Sequence, residues 1–307
     1  ILFTYTKICN NSIYMKIIDS FMYFDENMML DLRLNILNKY IHKFVICEAT
    51  YNHNGDEKKL NFDIKNFSKF RSKIEYIVLD QKPPSLKTIE KEDSEEKKES
   101  KTLDNALIRE NFQRNFVSDY LSNYADEDLI LINDLDEIPD LKNFRYKKKI
   151  TVFLQMMLYY KFNLVYPNIL WPGSKICKKK DLLSPQWLRN VKTKKYSKWR
   201  PDLIFSKKKY NNINIIQNGG WHFTNIKTPK EIHHKMKNFL HHFEYNESGL
   251  NVKDIENLIK NKKALYNYSV DQKEKKWDEN SYLREIEIDL LPEYLILNKS
   301  KYKNWLN

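Results

Sequence analysis

The segment Asn133-Asp134-Leu135-Asp136-Glu137-Ile138-Pro139 holds the residues whose types and spacing point most directly to chemistry. Asp134 and Asp136 stand two apart, so an extended backbone would turn both carboxylates to one side. Two hard oxygen ligands on one side suit Mg2+ or Mn2+ shared with a diphosphate, water and phosphate oxygens completing the shell. The bland alternative is a polar strand end that binds nothing. Just upstream, Leu129 to Ile132 is wholly apolar, as a strand buried on both faces of a mainly parallel sheet would be. Open sheets of that kind bind ligands beyond the carboxyl ends of their strands, where this acidic segment falls. Pro139 is expected to stop the ladder. The other acidic triplet, Asp126-Glu127-Asp128, precedes the apolar run and reads as a solvated turn.

A second group follows the short apolar run Ile213 to Ile216, in Asn218-Gly219-Gly220-Trp221-His222-Phe223. Adjacent glycines permit torsions and a close ligand approach that other residues forbid. His222 then lands at a strand end and is a candidate metal or phosphate contact. His233, His234, His241 and His242 lack the i,i+4 pairing of a helical zinc site, so no zinc is assigned. Arg114 has two readings: an i,i+4 partner of Glu110, or a diphosphate contact.

The elements that must carry these groups alternate between strand and helix. Ile13 to Phe24 reads as a strand; Leu30, Leu34, Leu37 and Ile41 recur at helical spacing; Phe44 to Cys47 and Ile74 to Leu79 read as further strands. That alternation predicts a parallel α/β sheet. Residues 81–101 carry low-complexity charge and are expected to form a mobile surface insertion, with the next helix starting near Asp104. Its apolar stripe is Leu103, Leu107, Ile108, Phe112, Phe116 and Tyr120. Phe153 to Trp171 is aromatic, and Tyr159, Tyr160 and Asn163 could belong to the core or to a sugar-binding wall. Thr228-Pro229-Lys230-Glu231 opens a helix with a capping box. A helix near Val252 to Lys260 and an ending with Leu290-Leu291-Pro292 and Trp305 are expected to wrap back onto the core.

Length and composition set the frame. With 307 residues, 41% hydrophobic and 14% aromatic, the chain can bury one large core. Its formal charge is +12, but the lysines fall in short scattered clusters, and no arginine-rich helix or zinc-finger spacing appears, so nucleic acid is not the expected partner. The abundance of Lys, Asn and Ile reads as AT-rich coding. Three cysteines far apart give neither metal spacing nor a disulfide framework, and Cys47 is expected as a buried thiol. No run is long enough to span a membrane. A lumenal domain with an anchor upstream of Ile1, a cytoplasmic protein and a viral one all remain open.

Five stretches, in order, resemble glycosyltransferase family 17, the family of β-1,4-mannosyl-glycoprotein N-acetylglucosaminyltransferases. They are Ile18 to Glu26 with Leu32-Arg33-Leu34, Phe44 to Gly55, Arg109 to Arg114, Asn133 to Pro139, and Gly219 to Phe223. The likeness runs from about residue 13 to residue 307. The 81–101 insertion looks private to this chain, and Cys47 stands where an aliphatic residue is usual. The family's His-x-Glu falls on His242-Phe243-Glu244 or begins at His241.

The resemblance implies a single catalytic domain of GT-A type, Rossmann-like, with a mainly parallel central sheet flanked by helices. Residues 13–165 would form the nucleotide-sugar half, 166–250 the acceptor side and 251–307 a helical wrap. It further implies a divalent cation (Mn2+ or Mg2+), a UDP-sugar donor with UDP-GlcNAc foremost, a glycan or glycoprotein acceptor, and inversion at the anomeric carbon. Asp134 and Asp136 would hold the metal through the D-x-D motif, Asp136 the more directly, with His222 as a third ligand or a β-phosphate contact. Asp19, Phe21, Glu26, Arg33 and Glu48 would shape the nucleoside end, Glu26 and Arg33 being equally readable as a structural pair, and Arg109, Arg114, Asp134, Trp221 and His222 would contact the donor. Glu137, Glu231 and Glu244 are candidates for the base that an inverting displacement needs. The alternatives are a same-fold transferase using another donor such as UDP-Glc, and a non-catalytic basic protein that binds glycan or nucleic acid.

Overall fold

The computed structural model describes residues 15–194, 196, 206–239, 242–268 and 281–307. Cys9, His241 and the start of the expected first strand lie outside them. In chain order the first half comprises β1 (Ile17–Met22), α1 (Asn27–Leu37), β2 (Lys43–Ala49), β3 (Ile74–Leu79), α2 (Glu95–Asn115), α3 (Ser118–Ser122) and β4 (Leu129–Ile132). The second comprises β5 (Glu137–Pro139), β6 (Ile150–Tyr159), β7 (Leu164–Lys178), α4 (Pro185–Asn190), β8 (Ile213–Ile216), β9 (Gly220–Thr224), α5 (Pro229–Asn238), α6 (His242–Glu247), α7 (Val252–Lys260), β10 (Arg284–Glu285) and α8 (Glu293–Leu297).

One sheet joins both halves, in the order β3-β2-β1-β4-β7-β6-β9-β5. The first four strands are parallel. β7 then runs antiparallel to β4 and to β6, and β9 returns parallel to β6. The result is a mixed α/β fold of GT-A type, with the Rossmann-like half leading. Side-chain alternation explains why β4 is apolar throughout: Leu129 and Leu131 face one core with Leu34, Phe44 and Ile46, while Ile130 and Ile132 face another with Val45, Val152 and Leu188. Leu291, Leu295 and Tyr302 close the first core, so the C-terminal segment does wrap back. Among the described residues no helix is long and apolar enough to cross a membrane.

Two expectations, both on α2, need correction. The charged run lies on the surface, but its second part is helical: α2 begins at Glu95 and not near Asp104, with the Ser94 side chain accepting from Lys97 N at 3.3 Å. Asp93 is buried and paired with Lys97 and Lys101, so the alternating charges are satisfied as first helical turns. The apolar stripe holds in its second part, where Phe112, Phe116 and Tyr120 pack against the second core, but not in its first: Leu107 is exposed, whereas Asn105 and Ala106 are buried, as are Gln113 and Arg114 further on. Pro139 ends the ladder as expected: it is the last residue of β5, the strand at the end of the sheet order, where a missing N–H is tolerated. Of the two readings of the aromatic stretch the core one holds at Tyr159 and Tyr160, which are 0% and 1% exposed, and Asn163 is buried too.

Candidate active site

A cavity of about 490 Å3 opens at the carboxyl ends of β1, β2 and β4. Met22, Tyr23 and Phe24 line it after β1, Tyr51, Asn52 and His53 after β2, and Asp134, Leu135 and Asp136 after β4. The sheet order places β7 and β9 beyond β4, and they contribute Trp171, His222 and Thr224.

The acidic segment is not extended. It turns, with Glu137 N donating to Asp134 O at 3.1 Å, and both aspartates still reach the cavity. A buried ion pair fixes that turn. Arg33 binds Asp19 through Nη2 at 2.7 Å and Nε at 2.9 Å, both side chains being 0% exposed. The third nitrogen, Nη1, donates to the carbonyls of Leu135 at 3.2 Å and Glu137 at 2.6 Å. Asn133 Nδ2 donates to Asp19 Oδ1 at 2.6 Å, so the strand end is tied to β1 as well. Asp19 and Arg33 therefore support the acidic turn from beneath and do not line the cavity. Phe21 is in the core, with the Arg33 guanidinium 4.7 Å above its ring.

The two aspartates have different partners. Asp134 accepts from Arg114 Nη2 at 3.0 Å and from Arg189 Nη2, on α4, at 2.9 Å. Burial opposes its charge, but Arg189 and Arg114 outweigh that and hold its carboxyl well below the usual range. Asp136 has no such clamp. Its Oδ1 is 3.6 Å from His222 Nε2 and its Oδ2 is 3.8 Å from Lys235 Nζ. Burial pushes its carboxyl up, and His222 and Lys235 only partly offset this. His222 is placed by register, opposite Glu137 in the β5–β9 pairing, and its ring stacks on Trp171 at 5.0 Å. Gly220, at φ 127°, lets β9 press against β5, because a Cβ there would stand 2.2 Å from the Ile138 carbonyl. The glycine pair thus serves strand packing and not ligand approach.

This donor set fits a divalent cation in one way. Among the described residues no three His, Cys, Asp or Glu side chains form a protein-only cage. Asp136 and His222 face each other across the cavity, an O/N pair that leaves the remaining positions to phosphate and water oxygens. Asp134 has both oxygens occupied by guanidinium groups and is a less available ligand than Asp136.

Other expected site residues serve elsewhere. Glu137 is 0% exposed and accepts from Arg189 Nη1 at 2.7 Å, Trp171 Nε1 at 2.7 Å and Asp134 N at 2.9 Å, which leaves it no opening to act as a base. Glu231 closes the α5 capping box with Thr228 and stands away from the cavity. Glu244 is half-buried on α6 and acts electrostatically on Tyr266, a cavity-lining residue. Glu48 anchors the segment after β2, accepting from Lys58 Nζ, Asn61 N, Phe62 N and the Tyr76 hydroxyl. Arg109 donates to the His53 carbonyl at 3.0 Å and braces the same segment. Trp221 faces away, its Nε1 donating to Leu290 O at 2.8 Å. Of the proposed nucleoside residues only Glu26 lines the cavity.

Several lining residues went unread in the sequence. Arg189 reaches Asp134 across 55 positions, and nothing local to Ser184-Pro185, which caps α4, signals that pairing. Lys235 lies on the polar side of α5, beside the buried Met236. Tyr266 and Tyr268 pack at 4.3 Å, and Tyr268 meets Trp171 edge-on at 6.3 Å, forming an aromatic corner next to His222.

A model of glycosyltransferase family 17 matches residues 7–307. The chain belongs to that family. The sequence matches no curated protein. Among solved structures, glucosyl-3-phosphoglycerate synthase from Mycobacterium tuberculosis, in complex with Mn2+, UDP and phosphoglyceric acid, aligns at 9% identity and TM-score 0.30 over 72% of this chain and 74% of that one. A mycobacterial protein aligns at 10% identity and TM-score 0.33 over 88% and 84%. Both likenesses are remote. The activity class of this family 17 member, a glycosyltransferase, rests on the family match.

Proposed function

We propose that this family 17 glycosyltransferase moves a sugar, GlcNAc from UDP-GlcNAc, to a hydroxyl of a glycan or glycoprotein acceptor, with inversion and with a divalent cation bound. The observation that carries the reading is the meeting of Asp136 and His222, 3.6 Å apart, in a cavity at the carboxyl end of the apolar strand β4. On this reading the donor lies along the sheet order. Phe24, Tyr51 and His53, after β1 and β2, receive the nucleoside; Asp136 and His222 stand at the diphosphate; Trp171, Tyr266 and Tyr268 offer flat rings with polar edges to a pyranose.

A cation bound at Asp136 and His222 supplies charge neutralisation for the departing nucleotide diphosphate. The protein does the rest by position. The Arg33 guanidinium holds three carbonyls of the acidic turn, so Asp136 meets the donor without reorganising. Arg114 and Arg189 keep Asp134 charged and fixed. The acceptor hydroxyl needs a base within hydrogen-bond reach; Glu26 and Glu110 line the cavity and join Glu244 as candidates in place of Glu137 and Glu231.

The test is nucleotide release from a donor panel of UDP-GlcNAc, UDP-Glc, UDP-Gal and a GDP-sugar, with Mn2+ and with chelator. The reading expects release from UDP-GlcNAc above the others and its loss on chelation. Equal release with chelator removes the cation from the account, and a preference for UDP-Glc replaces the donor.

A further inference from the structure

Three cationic side chains line the cavity, and they differ in what their nitrogens contact. Lys58 donates to Glu48 and to the Lys59 carbonyl. Arg189 donates to Glu137, Asp134 and the Gly173 carbonyl, so both of its terminal nitrogens are fully used. Lys235 makes no hydrogen bond to any described residue. Its ammonium stands 3.8 Å from Asp136 Oδ2 and 3.9 Å from Glu26 Oε1, beyond hydrogen-bond reach of both. Its side chain is 18% exposed and lines the cavity, so its three N–H groups are open to an acceptor that enters from outside.

We propose that Lys235 is a diphosphate-binding residue, its ammonium taking non-bridging oxygens of the nucleotide diphosphate beside the Asp136–His222 pair. This rests on the nucleotide-donor reading and adds to it a contact from a helix of the second half of the chain. The placement fits. One carboxylate, Asp136, turns Oδ1 to His222 and Oδ2 to Lys235, so an anion seated at that carboxylate's cation has the ammonium as its neighbour. Glu26 and Asp136 flank Lys235 at distances long enough for an oxyanion to approach without an existing hydrogen bond being broken. The helix that delivers it is firmly placed: α5 starts in a complete capping box at Thr228 and Glu231, and the adjacent Lys227 pairs with Asp25 at 2.5 Å. A compact ammonium on a flexible stem suits an oxyanion that arrives and leaves within each turnover.

Titration calorimetry with uridine and with UDP, both in Mn2+, on wild type, Lys235→Met and Lys235→Arg tests this. Hydrogen bonds to a charged group predict that UDP binds about tenfold or more weakly to Lys235→Met, that uridine binds unchanged, and that Lys235→Arg recovers much of the loss. Lys235→Gln, which keeps a donor without the charge, replaces the Met variant if that variant fails to fold. Should UDP lose no more affinity than uridine, Lys235 merely balances Glu26 and Asp136, and the proposal is wrong. Should wild type bind UDP no better than uridine, the nucleotide-donor reading itself fails, and the proposal with it.

Discussion

Asp134 and Asp136 leave β4 together yet meet opposite surroundings, and the difference assigns their work. Asp134 lies between two guanidinium groups, Asp136 between an imidazole and an ammonium at longer range. Glu137, next in the chain, faces inward, where its carboxylate ties Arg189, Trp171 and the Asp134 backbone together. A fully buried carboxylate that neutralises a buried guanidinium is costly to remove, because the partner charge is stranded. Glu137→Ala is therefore expected to lower the unfolding free energy by about 3–5 kcal/mol in denaturant titration. A catalytic base at that position would instead show unchanged unfolding with a collapsed rate.

At the scale of elements, α5 brings Lys235 to the cavity and α4 brings Arg189. Thr228→Ala removes the α5 cap and is expected to cost about 1 kcal/mol of stability, read as a shift of the denaturation midpoint with its slope unchanged. What the sequence disclosed follows from how far each signal reaches. β3, β8, α7 and the α5 capping box were legible because apolar runs and cap residues act within a few positions. The acidic strand end was legible for the same reason, since Leu129 to Asp136 is one short segment. The roles of Asp19, Arg33 and Glu48 were not, because a charged residue at a strand end looks alike whether it faces a ligand or a buried partner. Asp19 finds Arg33 and Asn133; Glu48 finds Lys58 and Tyr76. The helical signal of residues 95–101 was masked by charge, and only the ion pairs around Asp93 show how that segment is accommodated.

For the whole molecule, one buried amine makes stability depend on pH. Lys175, on β7, donates to the carbonyls of Arg189 and Val191 and so holds the end of α4 against the sheet. Burial, reinforced by the Arg189 charge, brings its ammonium down from 10.5 to about 7. Between those values the unfolded chain keeps a proton that the folded protein has released, so unfolding takes up a proton and raising the pH favours the fold. Stability is expected to rise from pH 7 toward pH 10 by at most about 1.4 kcal/mol per pH unit from this group, and Lys175→Met should remove that slope. The same scale shows why one cavity suffices: a continuous sheet brings the ends of β1, β2 and β4 and the second-half strands β7 and β9 to a single opening. The account's centre is a divalent cation held there by Asp136 and His222 together with a nucleotide diphosphate. Mn2+ titration in the presence of UDP, followed by electron paramagnetic resonance, measures it most directly. Wild type is expected to bind the ion and Asp136→Ala to bind it about a hundredfold more weakly with its thermal unfolding unchanged; equal Mn2+ affinity in the two proteins would contradict the account.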